Sequence, residues 1–217
     1  MRQAKTVSSL RLLLGSDPVR RAIYIVGMAP AAWYFYCGFA DRLGADPQKT
    51  LEQALGLWAL RFLLTALAVT PLRRLGIINL LRWRRALGLL AFYYASLHLT
   101  VYTALDQGFD FAAIWADILK RPYIMVGMLA FAILVPLATT SNAAMIRRLG
   151  GRAWQALHRF VYAAAICAAL HFAMLVKAWS SEPIAYAALV AVLLALRLLL
   201  PRPRAKRLAS QRIAGTA

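Results

Sequence analysis

The chain has 217 residues, of which 62% are hydrophobic and 16% are charged, and its formal net charge is +18. Soluble domains are about half apolar and about a quarter charged, so this composition excludes an ordinary soluble protein. The apolar residues form six blocks long enough to cross a bilayer, since a span needs roughly 20 mainly apolar residues. We therefore expect an all-α polytopic membrane bundle with no separate soluble domain.

The six predicted transmembrane helices follow one another with short connections, at about 22–40, 54–70, 86–105, 123–138, 153–176 and 184–200. Most prolines lie at or outside the ends of these segments, and Pro71 is expected to end the second. Pro30 and Pro136 fall inside spans and are expected to bend them, which packed membrane helices tolerate. The chain is thereby divided into an N-terminal tail (1–21), a six-helix transmembrane domain (22–200) and a basic C-terminal tail (201–217).

Lysine and arginine concentrate in both tails and in alternate connections, around 73–85 and 147–152. The other three connections hold most of the acidic residues. Cytoplasmic loops of membrane proteins are enriched in Lys and Arg, so this pattern predicts that both termini are cytoplasmic, in agreement with an even number of spans. Nucleic-acid binding is excluded as an explanation, because the basic residues lie in short clusters between apolar blocks rather than on one folded surface.

The two cysteines, Cys37 and Cys167, both fall inside predicted spans. We interpret them as small buried hydrophobic residues, although the sequence alone permits a disulfide between them. No CxxC or CxxCH motif occurs, so neither a zinc ribbon nor a covalently attached haem is supported.

All three histidines, His98, His158 and His171, lie in or at the end of predicted spans, where ionisable residues are costly and usually functional. His98 in span three and His171 in span five lie at similar distances from the outer ends of their helices. Two imidazoles facing each other from different helices can provide both axial ligands of a haem iron. The alternative is that each histidine forms a packing hydrogen bond between helices.

The neighbours of these two histidines are compatible with a haem. Tyr94, Ala95 and Tyr102 are spaced to share the helix face of His98. Small residues that would leave room for a flat macrocycle surround His171, namely Ala163, Ala164, Ala165, Ala168 and Ala169.

His158 would lie about 20 Å from His171 along a continuous helix, on the cytoplasmic side. This spacing suits a second redox centre, but the facing span carries Arg84 and Arg85 at the corresponding depth, not a histidine. His158 is therefore either a ligand of a second haem or an interfacial residue beside Trp154.

Arg61 lies in the middle of span two, near the predicted depth of His98 and His171. A buried guanidinium needs an anion, and the nearest acidic residues are expected to lie in loops. Haem propionates are the candidate partners, and a quinone contact is a second reading. Alternatively, Arg61 extends to the outer surface, as Arg197 is expected to do at the inner surface.

Several stretches resemble one known family, in order and over most of the chain. The matching segments are Gly44-Ala-Asp-Pro47, Trp58-Ala-Leu-Arg-Phe-Leu-Leu64, Val69-Thr-Pro-Leu-Arg-Arg74, Ala95-Ser-Leu-His-Leu99, Pro136-Leu-Ala-Thr-Thr-Ser141, Arg147-Arg-Leu-Gly150 and Trp154-Gln-Ala-Leu-His-Arg-Phe-Val-Tyr162, followed by His171. The chain thus resembles the MsrQ (YedZ) family, the haem-binding membrane subunits of periplasmic methionine-sulfoxide reductase systems, within the ferric-reductase-like transmembrane superfamily.

The resemblance implies a b-type haem, electrons drawn from the membrane quinone pool, and a periplasmic molybdopterin-containing catalytic subunit that reduces oxidised methionine in proteins. It also implies a multi-pass protein of the bacterial cytoplasmic (inner) membrane, and FMN has been associated with such subunits. The wider superfamily holds two stacked haems between two pairs of histidines. Here span five has both His158 and His171 but span three has only His98, so the resemblance supports the outer haem better than the inner one.

We therefore expect an electron-transfer subunit that oxidises quinol and passes electrons outward, while sulfoxide reduction occurs on the partner. Two other classes remain open at this point. A small transporter could place histidine and arginine along its pathway, but no inverted repeat is visible. A haem-free membrane anchor would need neither histidines at matched depth nor Arg61.

Overall fold

The computed structural model describes residues 18–175 and 181–200, and all regular structure in these residues is helical. Nine α-helices occur in this part of the chain: α1 (Pro18–Phe39), α2 (Pro47–Arg74), α3 (Arg84–Val101), α4 (Phe111–Lys120), α5 (Pro122–Thr139), α6 (Ala143–Leu149), α7 (Gly151–Leu157), α8 (Val161–Leu175) and α9 (Ser181–Leu199). A π-helical turn, Tyr102–Asp106, extends α3, and a 3₁₀ turn, His158–Phe160, joins α7 to α8.

Six helical segments in the described ranges are long and apolar enough to cross a membrane. They are α1, α2, α3 with its π turn, α5, α7 with α8, and α9, which confirms the prediction of an all-α bundle with six spans. The predicted C-terminal tail, most of the predicted N-terminal tail and residue 176 at the end of the fifth predicted span lie outside the described residues.

The second span is longer than predicted at both ends. The prediction that Pro71 ends it is wrong, because α2 continues to Arg74 and Pro71 is buried within its last turns. A proline costs one backbone hydrogen bond, and a packed membrane helix tolerates that loss. At the other end, the side chain of Asp46 accepts a hydrogen bond from the Lys49 N–H at 3.1 Å, and Pro47 occupies the first helical position, where no N–H is required.

The fifth predicted span is not one continuous α-helix. The helical hydrogen-bond pattern changes to 3₁₀ at His158 before α8 begins at Val161. A 3₁₀ turn rises further per residue than an α-helix, so the depth of His158 cannot be calculated from α-helical spacing alone.

Two short helices were not predicted, and both begin at a side-chain cap. The Asp110 carboxylate accepts from the backbone N–H groups of Ala112 and Ala113 at 2.9 and 3.0 Å and starts α4. Asn142 accepts from the Met145 N–H at 2.8 Å and starts α6. Helix α4 carries a row of exposed apolar side chains four residues apart: Phe111, Trp115 and Leu119.

The main apolar core lies around α2. Four leucines of α2 meet three alanines of α8, one residue each of α3 and α5, and two residues of α9: Leu60, Leu63, Leu64, Leu67, Ala91, Leu134, Ala164, Ala165, Ala169, Val190 and Leu193. Three of the alanines that were expected to leave room for a macrocycle are therefore buried in this core. Their small size lets α8 approach its neighbours closely.

Helix α1 is attached to α3 at the proline inside it. The Tyr94 hydroxyl accepts a hydrogen bond from the Ala31 N–H at 3.0 Å and donates one to the Gly27 carbonyl at 2.7 Å. Gly27 and Ala31 are four residues apart and flank Pro30, so Tyr94 provides hydrogen bonds in the turn that the proline disturbs. The Tyr94 side chain is completely buried.

Charges separate along the bundle axis. The described carboxylates all lie at one end, here called the acidic end: Asp41, Asp46, Glu52, Asp106, Asp110, Asp117 and Glu182. The opposite end, here called the basic end, contains the connection from α2 to α3, the connection from α5 to α7, and the end of α9.

Candidate haem site

His98 of α3 and His171 of α8 face each other in the half of the bundle nearer the acidic end. Their ring centroids are 6.3 Å apart and their planes are inclined by 71°. Because an imidazole nitrogen binds a first-row transition metal at about 2 Å, two rings on opposite sides of one metal have centroids about 6 Å apart. The observed separation fits one iron between the rings.

The donor set also favours a haem over a metal ion held by protein alone. No group of three or more His, Cys, Asp or Glu side chains that could hold a metal ion occurs within residues 18–175 and 181–200. A structural or catalytic ion usually needs at least three protein ligands. A haem needs only axial ligands from the protein, and two histidines are sufficient.

Each imidazole is held by a backbone carbonyl of a neighbouring helix. Nδ1 of His98 donates to the Glu52 carbonyl of α2 at 2.9 Å, and Nδ1 of His171 donates to the Tyr123 carbonyl of α5 at 2.6 Å. With the proton on Nδ1, the lone pair lies on Nε2. A metal-binding histidine is generally oriented in this way by a hydrogen bond from its other ring nitrogen.

A glycine of the same neighbouring helix lies against each ring. A methyl group added at Gly127 would lie 2.8 Å from Nδ1 of His171, and one added at Gly56 would lie 3.1 Å from Nδ1 of His98. Real Cβ atoms essentially never approach within 3.0 Å, so Gly127 leaves space that no other residue would leave. Helices α2 and α5 therefore each provide both an acceptor and room for the ring.

A chain of polar contacts connects His171 to α4. The Tyr102 hydroxyl donates to Oδ2 of Asp117 at 3.0 Å, and Nε of Arg121 lies 2.8 Å from Oδ1 of the same carboxylate. Arg121 also donates to the Tyr123 hydroxyl at 3.1 Å. Tyr123 is the residue whose carbonyl holds His171, and the two rings are 6.2 Å apart.

Arg61 has protein partners as well as an exposed surface. Its Nε donates to the Tyr186 hydroxyl at 2.8 Å, and its guanidinium lies 5.1 Å from the centre of the Trp58 ring. Glu182 was expected in a loop but belongs to the first turn of α9, and its Oε1 is 4.0 Å from Nη2 of Arg61. The Arg61 side chain is 40% exposed, so its charge is not completely buried.

His158 is not brought near the other two histidines and has different contacts. Its Nε2 lies 3.2 Å from Oγ1 of Thr140, and that hydroxyl donates to the Pro136 carbonyl at 2.6 Å. Nε2–H is therefore the donor to Thr140, whereas in His98 and His171 the donor is Nδ1. The Trp154 ring stacks on His158 with centroids 3.9 Å apart.

A cavity of about 260 Å³ adjoins His158 toward the basic end of the bundle. Its walls are mostly apolar side chains of α2, α3 and α5. Its polar boundary includes Arg84, Arg85, Ser141, Trp154 and His158. The cavity is therefore mainly apolar with a polar, basic boundary, which suits an apolar ligand that carries a polar or anionic group.

Sequence reasoning selected His98 and His171 but missed Gly56, Gly127 and Tyr123. Both glycines lie within apolar spans, and a glycine in a helix often marks the close approach of another group. That signal was available in the sequence. The sequence did not show which side chain each glycine would face, because this depends on the rotation of α2 and α5 about their axes.

Comparisons with known proteins found similar sequences over most of the chain. The sequence profile of the family described as "Ferric reductase like transmembrane component" matches residues 54–169. Proteins of Brucella ovis, Brucella canis and Brucella suis named "Protein-methionine-sulfoxide reductase heme-binding subunit MsrQ" are each 56% identical to this chain over 185 residues, which is 85% of this chain and 84% of theirs. No solved structure matches the chain.

Proposed function

Because the chain belongs to the MsrQ family of haem-binding subunits, among the ferric reductase like transmembrane components, we propose that it transfers electrons through a b-type haem held by His98 and His171. The observation that carries this proposal is the pair of imidazoles at 6.3 Å, each with Nδ1 bonded to a backbone carbonyl. When bound, the haem supplies reversible one-electron chemistry. The protein supplies the axial ligands and fixes their orientation.

The chain's own residues also set the charge around the site. Arg61 is proposed to contact a haem propionate or a quinone, since it donates to Tyr186 and still exposes part of its guanidinium. A positive charge near a haem stabilises the reduced form, because reduction adds a negative charge. Arg61 is therefore expected to raise the reduction potential.

We infer that electrons come from membrane quinol and enter near the basic end. The cavity beside His158 supports this inference, because it is apolar and bounded by Trp154, Arg84 and Arg85. The same cavity is the candidate place for a second haem with His158 as one ligand. That role would require His158 to give up its hydrogen bond to Thr140 or to bind iron through Nδ1.

The proposed electron acceptor is the catalytic subunit of a methionine-sulfoxide reductase, because the relatives are named as subunits of that enzyme. By family resemblance, this partner is periplasmic and contains molybdopterin, and it performs the sulfoxide reduction. The proposal places the chain in the bacterial inner membrane with both termini cytoplasmic. Binding of FMN is suggested only by the family resemblance, and no described residue is assigned to it.

The test is the visible absorption spectrum of the purified protein and of four variants. Wild type should show reducible Soret and α bands, and His98→Ala and His171→Ala should each lose the haem held between these residues. His158→Ala is the matched control, because it should retain the haem between His98 and His171. A lower haem stoichiometry in this variant would indicate a second haem held by His158. Arg61→Gln should retain haem and lower its midpoint potential.

Well-folded wild-type protein without haem bands would contradict the proposal. A membrane anchor or a small transporter would then be the remaining interpretations. Retention of full haem content in both His98→Ala and His171→Ala would contradict the ligand assignment.

A further inference from the structure

Buried polar atoms without a hydrogen-bond partner cluster at the basic end. Among the described residues, five buried side-chain nitrogen or oxygen atoms have no partner: Thr70 Oγ1, Arg73 Nε, Arg74 Nε, Trp83 Nε1 and Arg197 Nη1. Three belong to the last turns of α2, one precedes α3, and one lies in the last turns of α9. Buried donors are normally paired, so several unpaired donors at the same end of the bundle indicate a missing acceptor there.

Contacts show that the ends of these helices meet. Nη1 of Arg74 donates to the carbonyls of Arg197 and Leu200 at 2.8 and 2.9 Å, which connects the end of α2 to the end of α9. The Arg197 guanidinium lies 4.7 Å from the centre of the Tyr162 ring. Arg74 and Arg84 are close enough to Arg197 for their charges to act on it.

The charge balance of this cluster indicates an anion. Arg74 and Arg84 each repel the charge of Arg197, and every described carboxylate lies at the acidic end. Four of the five unpartnered atoms are N–H donors without acceptor capacity. The missing partner is therefore rich in acceptors and negatively charged.

We propose that Arg74, Arg84 and Arg197 form a binding site for a phosphate group, provided by the headgroup of an anionic phospholipid. Arginine pairs well with phosphate because its planar fork can donate two hydrogen bonds to one group. The position favours a lipid, because the cluster lies at the end of three spans, where headgroups meet the protein. Basic pockets between transmembrane helices are known to bind such headgroups. Arg84 also bounds the cavity beside His158, whereas Arg74 and Arg197 do not line it, so the test is made at Arg197.

The test uses purified, lipid-depleted full-length protein in detergent, with unfolding followed by tryptophan fluorescence. Phosphatidylglycerol should raise the unfolding temperature of wild type by several degrees more than phosphatidylcholine at equal concentration. Arg197→Gln should lose this difference. Arg148→Gln removes an exposed arginine from α6 at the same end of the bundle and should retain the difference.

Arg197→Lys provides a second variant in case Arg197→Gln does not fold. It keeps the charge but loses the fork, and it should lose most of the difference between the two lipids. Native mass spectrometry of wild type should show retained phosphatidylglycerol, in larger amounts than in Arg197→Lys.

Equal stabilisation by the two lipids in wild type would overturn the proposal, and so would a lipid difference that persists in Arg197→Gln. Inorganic phosphate added with phosphatidylcholine distinguishes the sources. If it reproduces the whole gain and the gain depends on Arg197, the phosphate site stands and the lipid headgroup is excluded as its necessary source.

Discussion

The two glycines beside the imidazoles have no side chain, and the space this leaves determines the position of each proposed ligand. Gly127 packs against His171 and Gly56 packs against His98, in both cases at the ring edge that carries Nδ1. Alanine at either position would push the ring away from the carbonyl that holds it. The tighter contact at Gly127 makes His171 the more sensitive of the two.

We expect Gly127→Ala to reduce haem content by at least half and to alter the low-spin electron paramagnetic resonance signal, because the imidazole must tilt. Gly56→Ala should have a smaller effect in the same direction. Gly38→Ala in α1 is the matched control, since a methyl group there would make only an ordinary contact, 3.5 Å from Leu43, and Gly38 does not line the cavity beside His158. Unchanged haem content and spectrum in Gly127→Ala would show that the ring does not need this space.

The histidine pair could be predicted from the sequence because it requires only the order of the spans and the distance of each residue from a span end. The carbonyl partners could not, because Glu52 and Tyr123 contribute backbone atoms that any residue type would provide. The contacts of Arg61 could be predicted only in part, because they too depend on the arrangement of other helices. Its contact with Glu182 depends on where α9 begins.

At the level of elements, the Asp117 carboxylate forms the side-chain hydrogen bond that connects α4 to the π turn after α3. Asp117 accepts from Tyr102 and pairs with Arg121, and its side chain is only 13% exposed. Helix α4 itself has no buried residue, so few other contacts hold it.

Asp117→Asn is expected to increase hydrogen exchange in residues 111–120, because the ion pair with Arg121 is lost. A half-exposed ion pair between residues four apart contributes about 0.3–1 kcal/mol, which corresponds to roughly two- to fivefold faster exchange if α4 opens locally. Asp106→Asn serves as the control, because Asp106 is exposed and its side chain accepts a hydrogen bond from Gln107 rather than from a residue of α4 or α5. Equal exchange in wild type and Asp117→Asn would show that α4 is held by other contacts.

Tyr94→Phe tests the attachment of α1. The substitution leaves the Ala31 N–H and the Gly27 carbonyl without their buried partner, and each loss costs about 1–3 kcal/mol. The unfolding temperature should therefore fall by several degrees in detergent. The neighbouring exposed residue provides the control as Tyr93→Phe, which should leave the temperature unchanged.

The number of spans could be predicted because apolar length alone determines it. The exact ends of the helices could not, because they depend on local capping and packing. Pro71 was predicted to end α2, but packing of the helix around it outweighs the loss of one hydrogen bond. Helix α4 was missed, although Asp110 followed by apolar residues four apart is a capped amphipathic pattern.

For the whole molecule, the separation of charge predicts the orientation in the membrane. In a variant with Cys37 and Cys167 replaced by alanine, we expect Gln107→Cys on intact spheroplasts to react with a membrane-impermeant maleimide. Arg148→Cys should react only after the membrane is permeabilised, because it lies at the basic end, which is expected to be cytoplasmic. The reverse pattern of labelling would contradict the predicted orientation.

The proposed haem ligands and the groups that hold them come from four helices, α2, α3, α5 and α8, which are separated in the sequence by other elements. The last of these ends at Leu175, so the complete set exists only after most of the chain has been synthesised and inserted. Haem is therefore expected to bind late in biogenesis, only after these four helices have assembled. A nascent chain that stops before α8 should remain colourless, even with α1 to α7 in place.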